Sequence, residues 1–165
     1  MIIQRKEYID KLIAFKDKKL IKIVTGVRRC GKSTLLKLYQ EWLKKQGVSD
    51  NQIISINFEN LDFEELTDYK KLHTYIKGKM IPNKRHYIFL DEIQNVKEFP
   101  KVIDSLYIRD DVDMYVTGSN AYMLSSEIAT IISGRYVQIE MLPLSFKEYM
   151  ESTGSSKDRG VKFME

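Results

Sequence analysis

A chain of 165 residues with 43% hydrophobic and 30% charged residues has the size and balance of about one globular domain, which excludes disordered and collagen-like classes. Lys and Arg total 27 against 23 acids; this net charge of +4 is too small and too scattered to specify nucleic acid, although it suits a polyanionic ligand. The one cysteine, Cys30, excludes an internal disulfide and agrees with a reducing cytosol, and His73 and His86 lack partners at metal-ligand spacing, so no zinc site is expected.

Residues 1–10 carry charge early and lack the apolar core of a signal peptide, and no later run approaches a membrane span. A cytoplasmic location without a membrane partner is therefore expected. Tyr8, Ile9, Leu12 and Ile13, with charges between them, predict an amphipathic helix over 3–15, followed by a polar turn at 17–19. Residues 20–25 are apolar and rich in β-branched side chains, as a buried strand should be. Next comes Gly26-Val27-Arg28-Arg29-Cys30-Gly31-Lys32-Ser33-Thr34, which fits the phosphate-loop pattern G-x-x-x-x-G-K-[ST]. Leu35, Leu36, Tyr39 and Leu43 mark one face of a helix over 35–46 that Gly47 closes.

A second strand is predicted over 52–58 and a helix over 62–77, with Leu66, Tyr69, either Leu72 or His73, and Ile76 on its apolar face. A turn at 82–84 leads into a third strand over 87–90, which ends in Asp91-Glu92. A helix over 98–108 takes Pro100 in its first turn. A fourth strand over 114–117 ends at Gly118-Ser119-Asn120, a short helix covers 121–131, a fifth strand covers 136–140, and another helix starts at 146. Strands alternating with helices define an α/β fold with a mainly parallel five-stranded sheet. Ligands of such sheets sit at the carboxyl ends of the strands, where the phosphate loop, Asp91-Glu92 and Ser119-Asn120 all fall.

The chemistry accounts for the residue types. Gly26 and Gly31 let the backbone turn and approach a phosphate closely. The amides of Val27 to Thr34, with the following helix N-terminus, would converge on a β-phosphate. Lys32 would reach the β- and γ-phosphates, and the Ser33 hydroxyl would ligate Mg²⁺. Asp91 would hold the Mg²⁺ shell, and Glu92 would orient and deprotonate the attacking water. Ser119 or Asn120 would bond the γ-phosphate or that water, unless both simply form a turn. Arg28, Arg29 and Arg135 are candidates to offset γ-phosphate charge, Arg135 in cis or on a neighbouring subunit. Asn57 is a candidate to hold Glu92 in an inactive pose. Cys30 is either a reactive thiol near a helix N-terminus or a small residue whose amide matters.

The runs Thr25 to Leu36, Phe89-Leu90-Asp91-Glu92-Ile93-Gln94, Thr117 to Asn120, and Ser133-Gly134-Arg135-Tyr136 through Leu142 to Tyr149 carry a resemblance. They resemble a group of bacterial and archaeal AAA-type ATPases within the broad AAA+ and STAND set. The resemblance implies a three-layer P-loop NTPase core over 1–150, its helix and turn at 1–19, with an extra strand between the phosphate-loop strand and the Asp91 strand. It also implies ATP and Mg²⁺. Members of the group usually continue into a helical or winged-helix part and a C-terminal domain, so residues 151–165 read as the start of a further region. That region, ATP or ADP, a DNA or protein client and a second copy of the chain are the partners implied.

Two functions remain in view: an ATPase whose turnover drives a conformational switch, and a nucleotide-binding regulatory module with little turnover. A GTPase is disfavoured, because Asn83-Lys84-Arg85-His86 lacks the acid of Asn-Lys-x-Asp and precedes the Asp91 strand. The acid pair also argues against a small-molecule kinase.

Overall fold

A computed structural model describes residues 3–119, 123 and 126–153. The strands are β1 (Ile21–Gly26), β2 (Ile53–Asn57), β3 (His86–Asp91), β4 (Val112–Gly118) and β5 (Tyr136–Met141). They form one sheet in the order β2-β3-β4-β1-β5, and every pairing is parallel. The helices are α1 (Lys6–Ala14), α2 (Lys32–Lys45), α3 (Tyr69–Lys79), α4 (Phe99–Tyr107), α5 (Ser126–Ile132) and α6 (Phe146–Thr153). Asn120, most of the segment before α5 and residues 154–165 lie outside the described residues.

Side-chain alternation divides the core between the two faces of the sheet. Ile88 and Leu90 of β3 pack with Leu72 of α3 and Val102 and Leu106 of α4. Tyr87 and Phe89 of the same strand point the other way, toward Leu12 of α1 and Tyr39 and Leu43 of α2. Both faces are covered, which is why β1, β3 and β4 read as continuous buried runs. The result is the three-layer sandwich expected, and β4 is the strand inserted between β1 and β3.

Two elements differ from the sequence reading. The helix predicted over 62–77 is broken: Leu61–Thr67 is a 3₁₀ segment, and Asp68 stays extended at φ −81°, ψ 122°. The Asp68 carboxylate accepts the Lys70 and Lys71 amides, both at 3.0 Å, so α3 restarts at Tyr69. Helix α2 begins at Lys32 rather than at Leu35, because Gly31 occupies its N-cap in the left-handed region at φ 101°.

Candidate functional site

The site forms where β1, β3 and β4 end. The loop from Gly26 to Gly31 joins β1 to the N-terminus of the 14-residue helix α2. Only glycine fits at the first loop position, since a Cβ on Gly26 would stand 2.6 Å from the Met141 carbonyl and 2.7 Å from Cys30 Sγ. Arg29 and Gly31 are both left-handed, at φ 65° and 101°. Alternating conformations of this kind turn successive amides toward one concavity, which favours an anion.

Lys32 is buried at the first position of α2. Its ammonium donates to the Gly26 and Val27 carbonyls, each at 3.0 Å. It also lies 3.7 Å from Glu92 Oε1, with the two side chains 4% and 13% exposed. Glu92 has left-handed backbone, φ 59° and ψ 52°, an unfavourable conformation for a residue with a side chain. The Thr117 hydroxyl stabilises it. It accepts the Glu92 N–H at 2.8 Å and donates to Asp91 Oδ1 at 2.5 Å, so one buried side chain on β4 fixes both acids. The other Glu92 oxygen, Oε2, accepts from Gln94 Nε2 at 2.5 Å.

These groups border two polar cavities. One, of about 370 Å³, is lined by Lys32, Ser33, Thr34, Arg28 and Glu92. The other, of about 300 Å³, adds Gln94 and Ser119. Behind the loop lies a mostly apolar cavity of about 220 Å³, with Ile3, Leu35, Leu38, Met141 and Leu144 in its wall.

The structure brings together Gly26 through Thr34, Asp91, Glu92 and Ser119; Asn120 falls outside the described residues. Arg135 is elsewhere. It precedes Tyr136, which pairs with Ile21 at the far end of β1 from the loop. Its guanidinium contacts Asp104 at 3.4 Å and sits 5.5 Å over the Tyr107 ring. A role in cis on its own loop is therefore ruled out by the length of β1. Among the described residues no hydrogen bond joins Asn57 to Glu92: the Asn57 Oδ1 accepts the Glu59 N–H at 3.0 Å in a turn, and Glu92 accepts from the Gln94 amide. Gln94 takes that position instead. Cys30 is 5% exposed and packs into the α1–α2 layer, so the small-residue reading fits and the accessible-thiol reading does not. Asn83, at φ 64°, sits in the turn before β3, at the end of the sheet away from the loop.

The sequence reading missed Thr117 and Gln94 as working residues. Both lay inside the runs that carried the resemblance; the role of Thr117 follows only from β4 being the neighbour of β3, whereas the Gln94 bond to Glu92 is local.

A parallel sheet in this order, with the phosphate loop after β1 and an acid pair at the end of a strand two places away, defines an AAA-type P-loop NTPase domain. A family model described as an AAA domain matches residues 18–150, and the chain belongs to that family. An uncharacterized protein of Haemophilus influenzae is 41% identical over 92% of this chain, which spans 38% of that relative. A second, from Methanocaldococcus jannaschii, is 35% identical over 79% of the chain, which spans 28% of it. The fold is similar to that of a DNA polymerase III gamma subunit-related protein from Thermotoga maritima, with a TM-score of 0.65 at 11% identity, covering 94% of this chain and 52% of that one. It is also similar to AMPPCP-bound DnaA from Aquifex aeolicus, with a TM-score of 0.61 at 13% identity, covering 96% and 53%. No described helix is long and apolar enough to cross a membrane.

Proposed function

We propose that the domain binds ATP with Mg²⁺, hydrolyses it to ADP and phosphate, and changes conformation as it does so. The observation that carries this reading is the meeting of Lys32 and Glu92 across a polar cavity walled by the loop. The cation belongs to the loop and the carboxylate to a different strand end, as transfer of a phosphoryl group to water requires.

The roles follow from the positions. The amides from Val27 to Thr34 receive the phosphates, and Lys32 exchanges its loop carbonyls for β- and γ-phosphate oxygens. The donor set suits Mg²⁺: the Ser33 hydroxyl at the start of α2 and the Asp91 carboxylate at the end of β3 are hard oxygen ligands. Bound there, the ion neutralises charge on the phosphates. Glu92 takes a proton from water as that water attacks the γ-phosphorus, and the bond to the β–γ bridging oxygen breaks. Ser119, on the wall of the second cavity, or Asn120 would bond the γ-phosphate. The apolar cavity behind the loop is of a size and character to take the base.

Arg135 can serve only a neighbouring copy, so a role for it predicts specific activity that rises with protein concentration. The contacts of Glu92 with Lys32 and Gln94 favour slow basal turnover, because the base is engaged before any water reaches it. A cytoplasmic setting suits this chemistry. What the domain acts on, DNA or protein, would be set by the regions that its longer relatives carry.

Titration calorimetry with Mg·ATP tests the reading. Wild type should bind, and Lys32→Ala, still folded, should lose binding. Absence of binding by folded wild type would overturn the assignment.

A further inference from the structure

Arg5 is the one strongly buried arginine among the described residues, 8% exposed, and it stands in the wall of the apolar cavity behind the loop. It precedes α1, and its guanidinium reaches three other segments. Nη1 donates to the Cys30 carbonyl at 3.1 Å and to the Leu142 carbonyl at 2.7 Å. Nε donates to Glu148 Oε1 at 3.1 Å. The group also stacks 4.6 Å from the Tyr8 ring centre, and the Tyr8 hydroxyl accepts the Leu142 N–H at 3.1 Å. One cation thus joins the phosphate loop, the exit of β5 and the first turn of α6.

Peptide planarity gives this a consequence. Among the described residues every peptide is trans, so the Cys30 carbonyl and the Gly31 N–H point in opposite directions. Arg5 donates to that carbonyl, which fixes the Gly31 N–H on the opposite side of the peptide; on the ATP reading that side is the anion-binding concavity. Glu148 is held in turn. Its Oε2 accepts the Ser145 N–H at 2.8 Å, and the Ser145 hydroxyl accepts the Glu148 N–H at 3.2 Å. These reciprocal bonds start α6.

We propose that Arg5 is a positioning residue for the phosphate loop and that, through Glu148, it couples phosphate binding to the docking of α6. The inference rests on the ATP reading and names a route by which that site communicates. Coupling is reciprocal: whatever orders the loop orders α6, and the converse. A lysine cannot replace Arg5, since a single ammonium lacks the planar fork that serves two carbonyls and a carboxylate together.

The test uses the full chain as wild type, Arg5→Ala, Arg5→Lys and Glu148→Gln. Mg·ATP affinity is measured by calorimetry, and amide hydrogen exchange over 146–150 is followed with and without Mg·ATP. Wild type should bind ATP and show slower exchange in α6 when it does. Arg5→Ala should bind at least tenfold more weakly, regain affinity with added guanidinium ion, and lose the ATP effect on α6. Arg5→Lys should recover only part of the affinity. Glu148→Gln should bind ATP within about threefold of wild type yet lose most of the ATP effect on α6. Should Arg5→Ala fail to fold, Arg5→Lys and Glu148→Gln carry the test alone. Folded Arg5 variants that bind ATP like wild type, or a wild-type α6 whose exchange ignores bound ATP, would overturn the inference and leave the ATP reading standing. A wild type that does not bind ATP would overturn both.

Discussion

The two ends of the sheet each hold a lysine facing a carboxylate, and the contrast between them separates stability from function. At the amino end, Lys22 and Asp113 meet at 2.5 Å with both side chains 0% exposed. Both groups are held by several hydrogen bonds. Asp113 also accepts from the Tyr115 hydroxyl and the Asp17 amide, Lys22 donates to the Lys18 carbonyl, and the Tyr115 hydroxyl bonds that of Tyr39. Burial pushes the Lys22 ammonium down from its usual range, with Asp113 opposing, and it pushes the Tyr115 and Tyr39 phenols well up. At the carboxyl end, Lys32 and Glu92 stand 3.7 Å apart beside a cavity, and Glu92 pays with left-handed backbone. The first pair is closed and satisfied. The second is loose and open, with charges available to a ligand.

Substitutions at the two lysines should separate the pairs most clearly. Lys22→Met leaves a buried carboxylate without its cation and should cost about 3–5 kcal/mol in denaturant unfolding. Adding Asp113→Leu should return much of that loss, since the uncompensated charge is gone. Lys32→Met should change stability by less than ~1 kcal/mol while abolishing ATP binding. Equal destabilisation by the two lysine variants would erase the contrast.

Thr117→Val is expected to act next most strongly. It removes the hydroxyl that bridges Asp91 and the Glu92 amide, and it should cost about 1–3 kcal/mol with slower phosphate release at little change in ATP affinity. The smallest effect is the share of the pH dependence that Asp17 supplies at the amino end. Burial works to raise the Asp17 carboxyl, but hydrogen bonds from Lys16 and Tyr87 and the charges of Lys16 and Arg85 hold it below its usual range. A carboxylate with a depressed folded pKa adds stability above its unfolded pKa of ~3.9 and loses it as pH falls through the folded value. Stability should therefore decline below about pH 4, and Asp17→Asn should flatten that decline.

Much of the carboxyl end was legible in the sequence because its signals are local. The phosphate loop is one contiguous motif, and an apolar strand ending in two acids is another. The sandwich was legible because strands buried on both faces read as unbroken apolar runs. The amino-end pair was not legible, since Lys22 and Asp113 lie 91 residues apart and meet only because β4 sits beside β1. Lys22 was simply absorbed into the apolar run of β1. Arg5 escaped for the same reason: its partners come from the phosphate loop, the exit of β5 and α6. The exchange of Asn57 for Gln94 at Glu92 shows the limit in the other direction. A strand-end asparagine is an obvious candidate in sequence, but its side-chain oxygen takes the Glu59 N–H and the Glu92 carboxylate takes its hydrogen bond from the Gln94 amide.

The most direct test of the account is phosphate release and ATP binding measured on the same samples of wild type and Glu92→Gln. If Glu92 is the base, release should fall by roughly 100-fold or more while ATP affinity stays within a few-fold of wild type. Release that is unchanged in the variant would show that the open pair at the carboxyl end does not perform hydrolysis.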